Sequence, residues 1–194
     1  YSEGFKSGIF NIAAAGTVPV RPETIKSFEA GVKLQPSRFL RANLSAFTYD
    51  YKDLQVSARL AGNTVSFLQN AGAAKIKGID FDLSAAPVEG LSLTLAGEYL
   101  DAKYKDFAGA AINVPNVVNG VAIGGNASVI ADVSGNRLIR APKFTATAGF
   151  TYDVDFAGGI LKLGANANYN DGFFLEFGNR LRQPSYTLVN ANLG

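Results

Sequence analysis

The sequence contains no cysteine, histidine, methionine or tryptophan. Without Cys or His there are no disulfides, no zinc sites of the usual ligand types, and no thiolate or imidazole nucleophile. Catalysis would have to rest on Ser with Lys, on Tyr or on paired carboxylates, so an enzyme is disfavoured. Charge is scarce as well: charged residues make 18% of the 194-residue chain, against roughly 25% in soluble domains. The net charge of +2 is spread with mixed sign, and no nucleic-acid footprint is expected. The opening Tyr1-Ser2-Glu3-Gly4-Phe5 has neither the basic nor the apolar region of a signal peptide. The longest charge-free stretch, Phe107 to Ala131, has the length of a spanning helix. It holds Pro115 together with Asn113, Asn116, Asn119 and Asn126, so it reads as a polar loop and no membrane helix is expected.

What the chain has in abundance is Gly (21), Phe (14) and Tyr (8), arranged with a period of two residues, the pattern of strands with unlike faces. Phe28, Ala30, Val32 and Leu34 alternate with Ser27, Glu29, Gly31, Lys33 and Gln35. After a turn at Pro36-Ser37-Arg38, Leu40, Ala42, Leu44 and Ala46 alternate with Arg41, Asn43 and Ser45. The phase then slips, bringing Phe47, Tyr49 and Tyr51 onto the apolar side, which implies a bulge near Phe47. Further strands carry Ile79 to Ala85, Leu91 to Tyr99, Phe144 to Val154, Leu161 to Tyr169, and Thr187 to Leu193. The count is seven strands and no convincing helix.

Several strands exceed the roughly 5–6 residues usual in globular sheets, whereas membrane-barrel strands need about 9–11. The connections alternate in length. Those at 36–38, 87–90 and 155–159 are tight; those near 53–66, 107–137 and 171–185 are long, polar and rich in Gly and Asn. Short turns at one end and long loops at the other mark an outer-membrane barrel. Phe47, Tyr49, Tyr51, Tyr99, Phe150, Tyr152, Tyr169, Phe173 and Phe174 are expected at the long-loop ends of the apolar face, as an interfacial girdle. The expected fold is all-β, an antiparallel transmembrane β-barrel segment. Seven strands cannot close an even-numbered barrel, and bare edges cannot stand in hydrocarbon. The remaining strands are therefore expected outside these residues.

Specific residues resemble a known family. Arg21-Pro22-Glu23 through Phe28-Glu29-Ala30-Gly31-Val32-Lys33 is similar to the Pro-Glu, then aromatic-Glu-x-Gly-x-Lys pattern of TonB-dependent outer-membrane receptors. Asn70-Ala71-Gly72 leading to Gly78-Ile79-Asp80, Arg140-Ala141-Pro142-Lys143 before Gly149-Phe150-Thr151-Tyr152, and Tyr186-Thr187-Leu188-Val189-Asn190-Ala191 follow in the family's order. The resemblance implies a barrel of about 22 strands behind an N-terminal plug. Residues 1–194 would form its later part, with the plug and the TonB-contacting segment lying elsewhere. It implies a Gram-negative outer membrane, lipid around the barrel, the TonB complex in the periplasm, and a scarce solute as cargo: a siderophore–iron complex, cobalamin or an oligosaccharide. No cofactor or metal is implied.

Glu29, Lys33, Asp80, Asp82 and Glu98 share the presumed lumen face, where they would hydrogen-bond the plug or line a hydrated path. Phe173, Phe174, Glu176, Phe177 and Arg180 could touch substrate, since aromatics beside Arg or Glu on a loop are plausible ligand contacts. Asp80 and Asp82 form a carboxylate pair, but no partner cluster accompanies them. Two other readings stand beside active uptake. A small eight-stranded barrel would be a passive channel or structural protein. A membrane-anchored barrel hydrolase would need an activatable nucleophile, for which no His is present.

Overall fold

A computed structural model describes residues 1–10, 19–58 and 67–194. Among them there is no helix, and strands dominate. The main sheet has eight antiparallel strands in chain order, without crossovers. They are β1 (Ser2–Lys6), β2 (Glu23–Ser37), β3 (Leu40–Lys52), β6 (Ala73–Ala85), β7 (Leu91–Asp106), β10 (Phe144–Phe156), β11 (Gly159–Asn170) and β14 (Tyr186–Leu193). Three small hairpins rise from the long connections: β4 (Gln55–Ala58) with β5 (Phe67–Asn70), β8 (Ala110–Val118) with β9 (Val121–Ala131), and β12 (Phe173–Phe174) with β13 (Arg182–Gln183).

The count of seven is thus one short. The missing strand is β1, whose five residues pair Ser2 with Ser27 through to Lys6 with Glu23. Five residues give too little alternation to register as a strand by period alone. The sheet is open. β14 pairs only with β11 and β1 only with β2, so these eight strands do not close into the small barrel considered above. The segment 107–137, expected as a polar loop, contains the ladder of β8 and β9, which pairs Ala110 with Ala131 through to Val118 with Val121. Part of the expected connection 53–66 lies in β4, and 59–66 falls outside the described residues.

Turn chemistry explains the hairpins. Asn119 (φ 51°) and Gly120 (φ 78°) turn β8 into β9, and Ala157 (φ 49°) and Gly158 (φ 83°) turn β10 into β11. Two successive left-handed residues make the turn whose twist matches that of the flanking strands. Strand lengths separate the two ends of the sheet: β2 runs 15 residues and β7 runs 16, so both extend beyond the length a membrane requires.

The register assigns the faces. One face carries Phe28, Val32, Leu44, Ile79, Phe81, Leu95, Tyr99 and Phe150, matched across neighbouring strands. These apolar side chains are open rather than packed, with Val32 45%, Leu44 51% and Ile79 47% exposed. A continuous band of exposed large apolar groups is a non-aqueous contact surface. The opposite face carries Glu29, Lys33, Ser45, Asp80, Asp82 and Glu98.

Two expectations about aromatics require correction. The pairing of β2 with β3 is continuous past Phe47, and the register shifts between Leu34 and Ser37 instead. Without a slip, Phe47, Tyr49 and Tyr51 stay in phase with Asn43 and Ser45 on the polar face, where Phe47 and Tyr49 stack at 4.8 Å. Phe150 and Tyr152 lie toward the short turn at 156–159, not the long loops. The upper row on the apolar face is Tyr1, Phe28, Tyr99, Phe144 and Tyr169. Its contacts are Tyr1 to Phe28 at 4.6 Å and Phe144 to Tyr169 at 6.1 Å. From Phe144 to Tyr152 the strand rises about 27 Å, which the barrel tilt reduces to roughly 21 Å. That is close to the apolar band of about 25 Å between the two girdles of an outer-membrane barrel.

Candidate functional site

The polar face between the girdles and the cap formed by the long loops are where a solute could be handled. On the polar face, cross-strand neighbours form rows. Gly31, Ser45, Asp80 and Glu98 stand directly opposite one another, and Lys33, Asn43, Asp82 and Ala96 form the next row. Asn43 Nδ2 donates to Asp82 Oδ1 at 2.9 Å, and Ser45 Oγ donates to Asp80 Oδ2 at 3.5 Å. The five presumed lumen residues therefore do share one face. Asp80 and Glu98 stand as like charges in opposed positions, an arrangement that favours a hydrated surrounding or a cationic partner.

Further along the sheet the face changes from acidic to amide. Thr147 Oγ1 donates to Asn168 Oδ1 at 2.8 Å, Asn168 Nδ2 donates to Asn166 Oδ1 at 3.0 Å, and Asn190 Nδ2 donates to the same oxygen at 3.1 Å. Amides both donate and accept, so this ladder suits a hydrated or hydroxyl-rich neighbour without adding charge. The alternate Asn residues of β11 are visible in the sequence, but their partners Thr147 and Asn190 emerge only from the pairing of β10 and β14 with β11.

At the long-loop end, the polar face is covered by an apolar cluster. Val56, Ala71, Ala74, Tyr104, Phe107, Ala110, Ala111, Val133 and Phe177 are buried together. The rings of Tyr104, Phe107 and Phe177 lie 5.3 to 6.0 Å apart, two of the three pairs edge-on. Burial pushes the Tyr104 hydroxyl up to about 12, against a weaker opposing effect of the Ile139 backbone. This tyrosine lies five residues beyond Tyr99, above the apolar band.

The turn 132–136 closes the end of β7. Val133 N–H donates to Phe107 O at 3.0 Å, Gly135 N–H to Tyr104 O at 2.7 Å, and Phe107 N–H to Ser134 Oγ at 2.9 Å. Asp132 Oδ1 accepts from Ser134 N–H at 2.8 Å, and the Ser134 hydrogen bonds hold this carboxyl below its usual range.

The two long connections are laced to each other. Asn136 Nδ2 donates to Phe177 O at 2.9 Å, Arg137 N–H to Asn179 Oδ1 at 2.7 Å, and Asn179 Nδ2 to Arg137 O at 3.0 Å. Arg140 N–H donates to Phe174 O at 2.9 Å, and the Arg137 guanidinium sits 5.7 Å from the Phe174 ring centre. None of these partners is marked by sequence spacing, because each bond joins residues more than thirty positions apart.

This geometry redistributes the five presumed loop contacts. Phe177 is 6% exposed and belongs to the cluster, so its ring packs inward. Glu176 is occupied by its own turn: one carboxylate oxygen accepts from Gly178 N–H at 2.7 Å, and the other accepts from the backbone N–H groups of Arg180 and Leu181. Phe173 and Phe174 are half-buried and pair with Gln183 and Arg182. Arg180 is exposed. The structure therefore does not bring the five together around one space.

The family model for TonB-dependent receptor-like β-barrels matches residues 1–194. Among solved structures, the ferric yersiniabactin uptake receptor of Yersinia pestis is similar over 100% of this chain and 26% of its own, with TM-score 0.76 and 19% identity. The ferric preacinetobactin receptor of Acinetobacter baumannii is similar over 98% of this chain and 26% of its own, with TM-score 0.67 and 22% identity. A siderophore receptor from Acinetobacter baumannii matches over 89% and 22%, with TM-score 0.60 and 23% identity. The chain thus spans about a quarter of the length of these receptors. With its open antiparallel sheet, exposed apolar band and polar inner face, the chain belongs to the TonB-dependent receptor β-barrel family of the Gram-negative outer membrane.

Proposed function

We propose that these residues are part of the barrel wall of a receptor that takes a scarce solute across the outer membrane, with TonB supplying the coupling to energy. The observation that carries this reading is the division of one sheet into an exposed apolar face bounded by aromatics and a face of carboxylates and amides. A wall of that kind separates lipid from a polar interior. A plug elsewhere in the same protein would occupy the interior against Glu29, Lys33, Asp80, Asp82 and Glu98. The cargo would be a siderophore–iron complex, cobalamin or an oligosaccharide, handled on the side of the long loops, where Phe173, Phe174 and Arg180 keep exposed or half-exposed groups. The role is transport rather than catalysis.

The experiment is solute uptake by cells carrying the full-length receptor, with ferric siderophores, cobalamin and oligosaccharides supplied in turn, in strains with and without TonB. One class of solute accumulating only where TonB is present is the expected result. Uptake that proceeds equally without TonB would overturn the active-transport reading and favour a passive channel.

A further inference from the structure

Toward the short turns, the polar face changes the sign of its charge. The acids Glu29, Asp80, Asp82 and Glu98 lie in its middle, and Lys33 shares the last acidic row with Asn43 and Asp82. One row nearer the turns, Arg41, Ser84 and Thr94 stand directly opposite one another. Ser92 and Thr151 form the row beyond. Arg38 follows in the turn between β2 and β3, beside the register shift that separates Leu34 from Ser37.

Three features set this mouth apart from an ordinary solvated rim. First, its arginines are unbalanced: neither Arg38 nor Arg41 makes an ion pair among the described residues. The acids at this end are engaged elsewhere or stand apart. Asp82 accepts from Asn43 at 2.9 Å, Asp153 pairs with Lys162 at 3.5 Å, and Glu89 in the turn 87–90 pairs with neither arginine. Second, Gln35, Arg38, Arg41, Ser84 and Ser92 line a cavity of about 160 Å³, with Phe39 at its edge. That is several times the roughly 30 Å³ share of a water molecule, the scale of a carboxylate with its attached carbons. Third, the cavity is preorganised. Phe39 O accepts from Ala86 N–H at 2.8 Å and Phe39 N–H donates to Ser37 Oγ at 3.2 Å, which ties the two short turns together. The Arg38 guanidinium lies over the Phe39 ring, 4.5 Å from its centre, so stacking holds the cation while its N–H groups stay open to an acceptor.

We propose that Arg38 and Arg41 form a carboxylate-binding site at the short-turn mouth of the barrel interior, completed by the hydroxyls of Ser84 and Ser92. Each guanidinium offers paired donors that match the two oxygens of a carboxylate, and the serine hydroxyls supply further donors. The acids in the middle of the wall repel an anion that this end attracts, so the field along the wall draws a carboxylate toward the mouth. The carboxylate belongs either to a solute leaving the interior or to another segment of the same protein, and the two sources give different results in the test.

The inference rests on the proposed function only for the enclosure of this face, and its test reads the arginines rather than uptake, so either can fail without the other. The purified full-length receptor is treated with phenylglyoxal, which adds to guanidinium groups that no anion engages. Modification of Arg38 and Arg41 is mapped by mass spectrometry against that of Arg180, which is exposed on the long-loop side. Succinate is the added carboxylate, and sodium chloride at equal ionic strength is the control. Modification of both arginines about tenfold slower in succinate than in the control, with Arg180 unchanged, is the result expected for a free solute. Modification that is slow without succinate and is relieved by raising salt assigns the site to a carboxylate of the same protein. In either case R41Q, shown to be folded by heat-dependent gel migration, should lose the protection at Arg38. Protection of Arg38 unchanged in R41Q overturns the shared site. Modification of Arg38 and Arg41 as fast as that of Arg180 under every condition overturns it too, as does slow modification that neither salt nor succinate alters, since that reflects steric cover alone.

Discussion

The ring of Phe177 meets the ring of Tyr104 edge-on, with centroids 6.0 Å apart and planes at 80°. This contact joins a loop to the end of a barrel strand on the polar face. Phe107 closes the triangle at 5.3 Å from each. The cap therefore has a core of its own, apart from the lipid-facing band, and the hydrogen bonds between Arg137 and Asn179 are formed around it.

Phe177→Ala should release that cap without undoing the barrel. Truncating a buried Phe costs about 3–5 kcal/mol, and here the loss falls on the connection 171–185 and the turn 132–136. Limited proteolysis of the folded receptor should show new cleavage in 171–185, while heat-dependent gel migration stays that of a folded barrel. Cleavage indistinguishable from the unaltered protein would mean the cluster does not hold the loops.

The cap should also loosen at high pH. An unfolded tyrosine ionises near pH 10, whereas burial holds Tyr104 neutral up to about 12. A raised acid pKa adds stability that is complete below about pH 10 and is lost as pH rises through the folded value. Protease sensitivity of 171–185 should therefore increase between about pH 10 and pH 12, and Tyr104→Phe should remove that increase. The same increase in the Phe variant would assign it to another group.

Gly78 and Phe47 form a matched pair on the polar face. They are register partners, and a Cβ built on Gly78 would collide with the Phe47 ring. Covering a strand glycine with a cross-strand aromatic recovers packing that the glycine forgoes. Gly78→Val should lower the unfolding temperature of the barrel by forcing the ring aside, and Phe47→Ala should lower it by exposing backbone. In the double variant the Val should cost little more than Phe47→Ala alone, because residues in contact are not additive. Additive losses, read by thermal melting in detergent, would show that the two positions act independently.

Periodicity made most of this sheet legible. The alternation of Phe28 to Leu34 and of Ile79 to Ala85 reflects which side chain meets lipid, and register follows from that at every strand with a buried-versus-wet choice. It misled at Phe47, Tyr49 and Tyr51. There the polar face itself turns apolar beneath the cap, so hydrophobicity ceased to report which side a residue faces. The apparent slip was a change of environment at constant register. The loop residues were legible only as types. Glu176 has the composition of a ligand contact, yet both its oxygens close a local turn, and local hydrogen bonds of that kind leave no periodic trace.

The assignment of the apolar face to lipid yields the sharpest comparison, because two residues of equal exposure should respond oppositely. Leu44 is 51% exposed in the middle of the band on β3, and Val118 is 53% exposed at the tip of the β8–β9 hairpin. In a soluble protein, Arg at either exposed site would change stability within about ±0.5 kcal/mol. In a bilayer, Arg at the depth of Leu44 must be carried into hydrocarbon, at about 2–4 kcal/mol near the midplane. Val118 stands beyond the girdle and should tolerate the change. Reversible unfolding of the full-length receptor from lipid vesicles should therefore show Leu44→Arg destabilised by that amount and Val118→Arg unchanged. Equal tolerance at both would place the Leu44 face in water and remove the basis of the membrane reading. A loss at Val118 comparable to that at Leu44 would instead mean that the hairpin, too, is buried in lipid or against a partner.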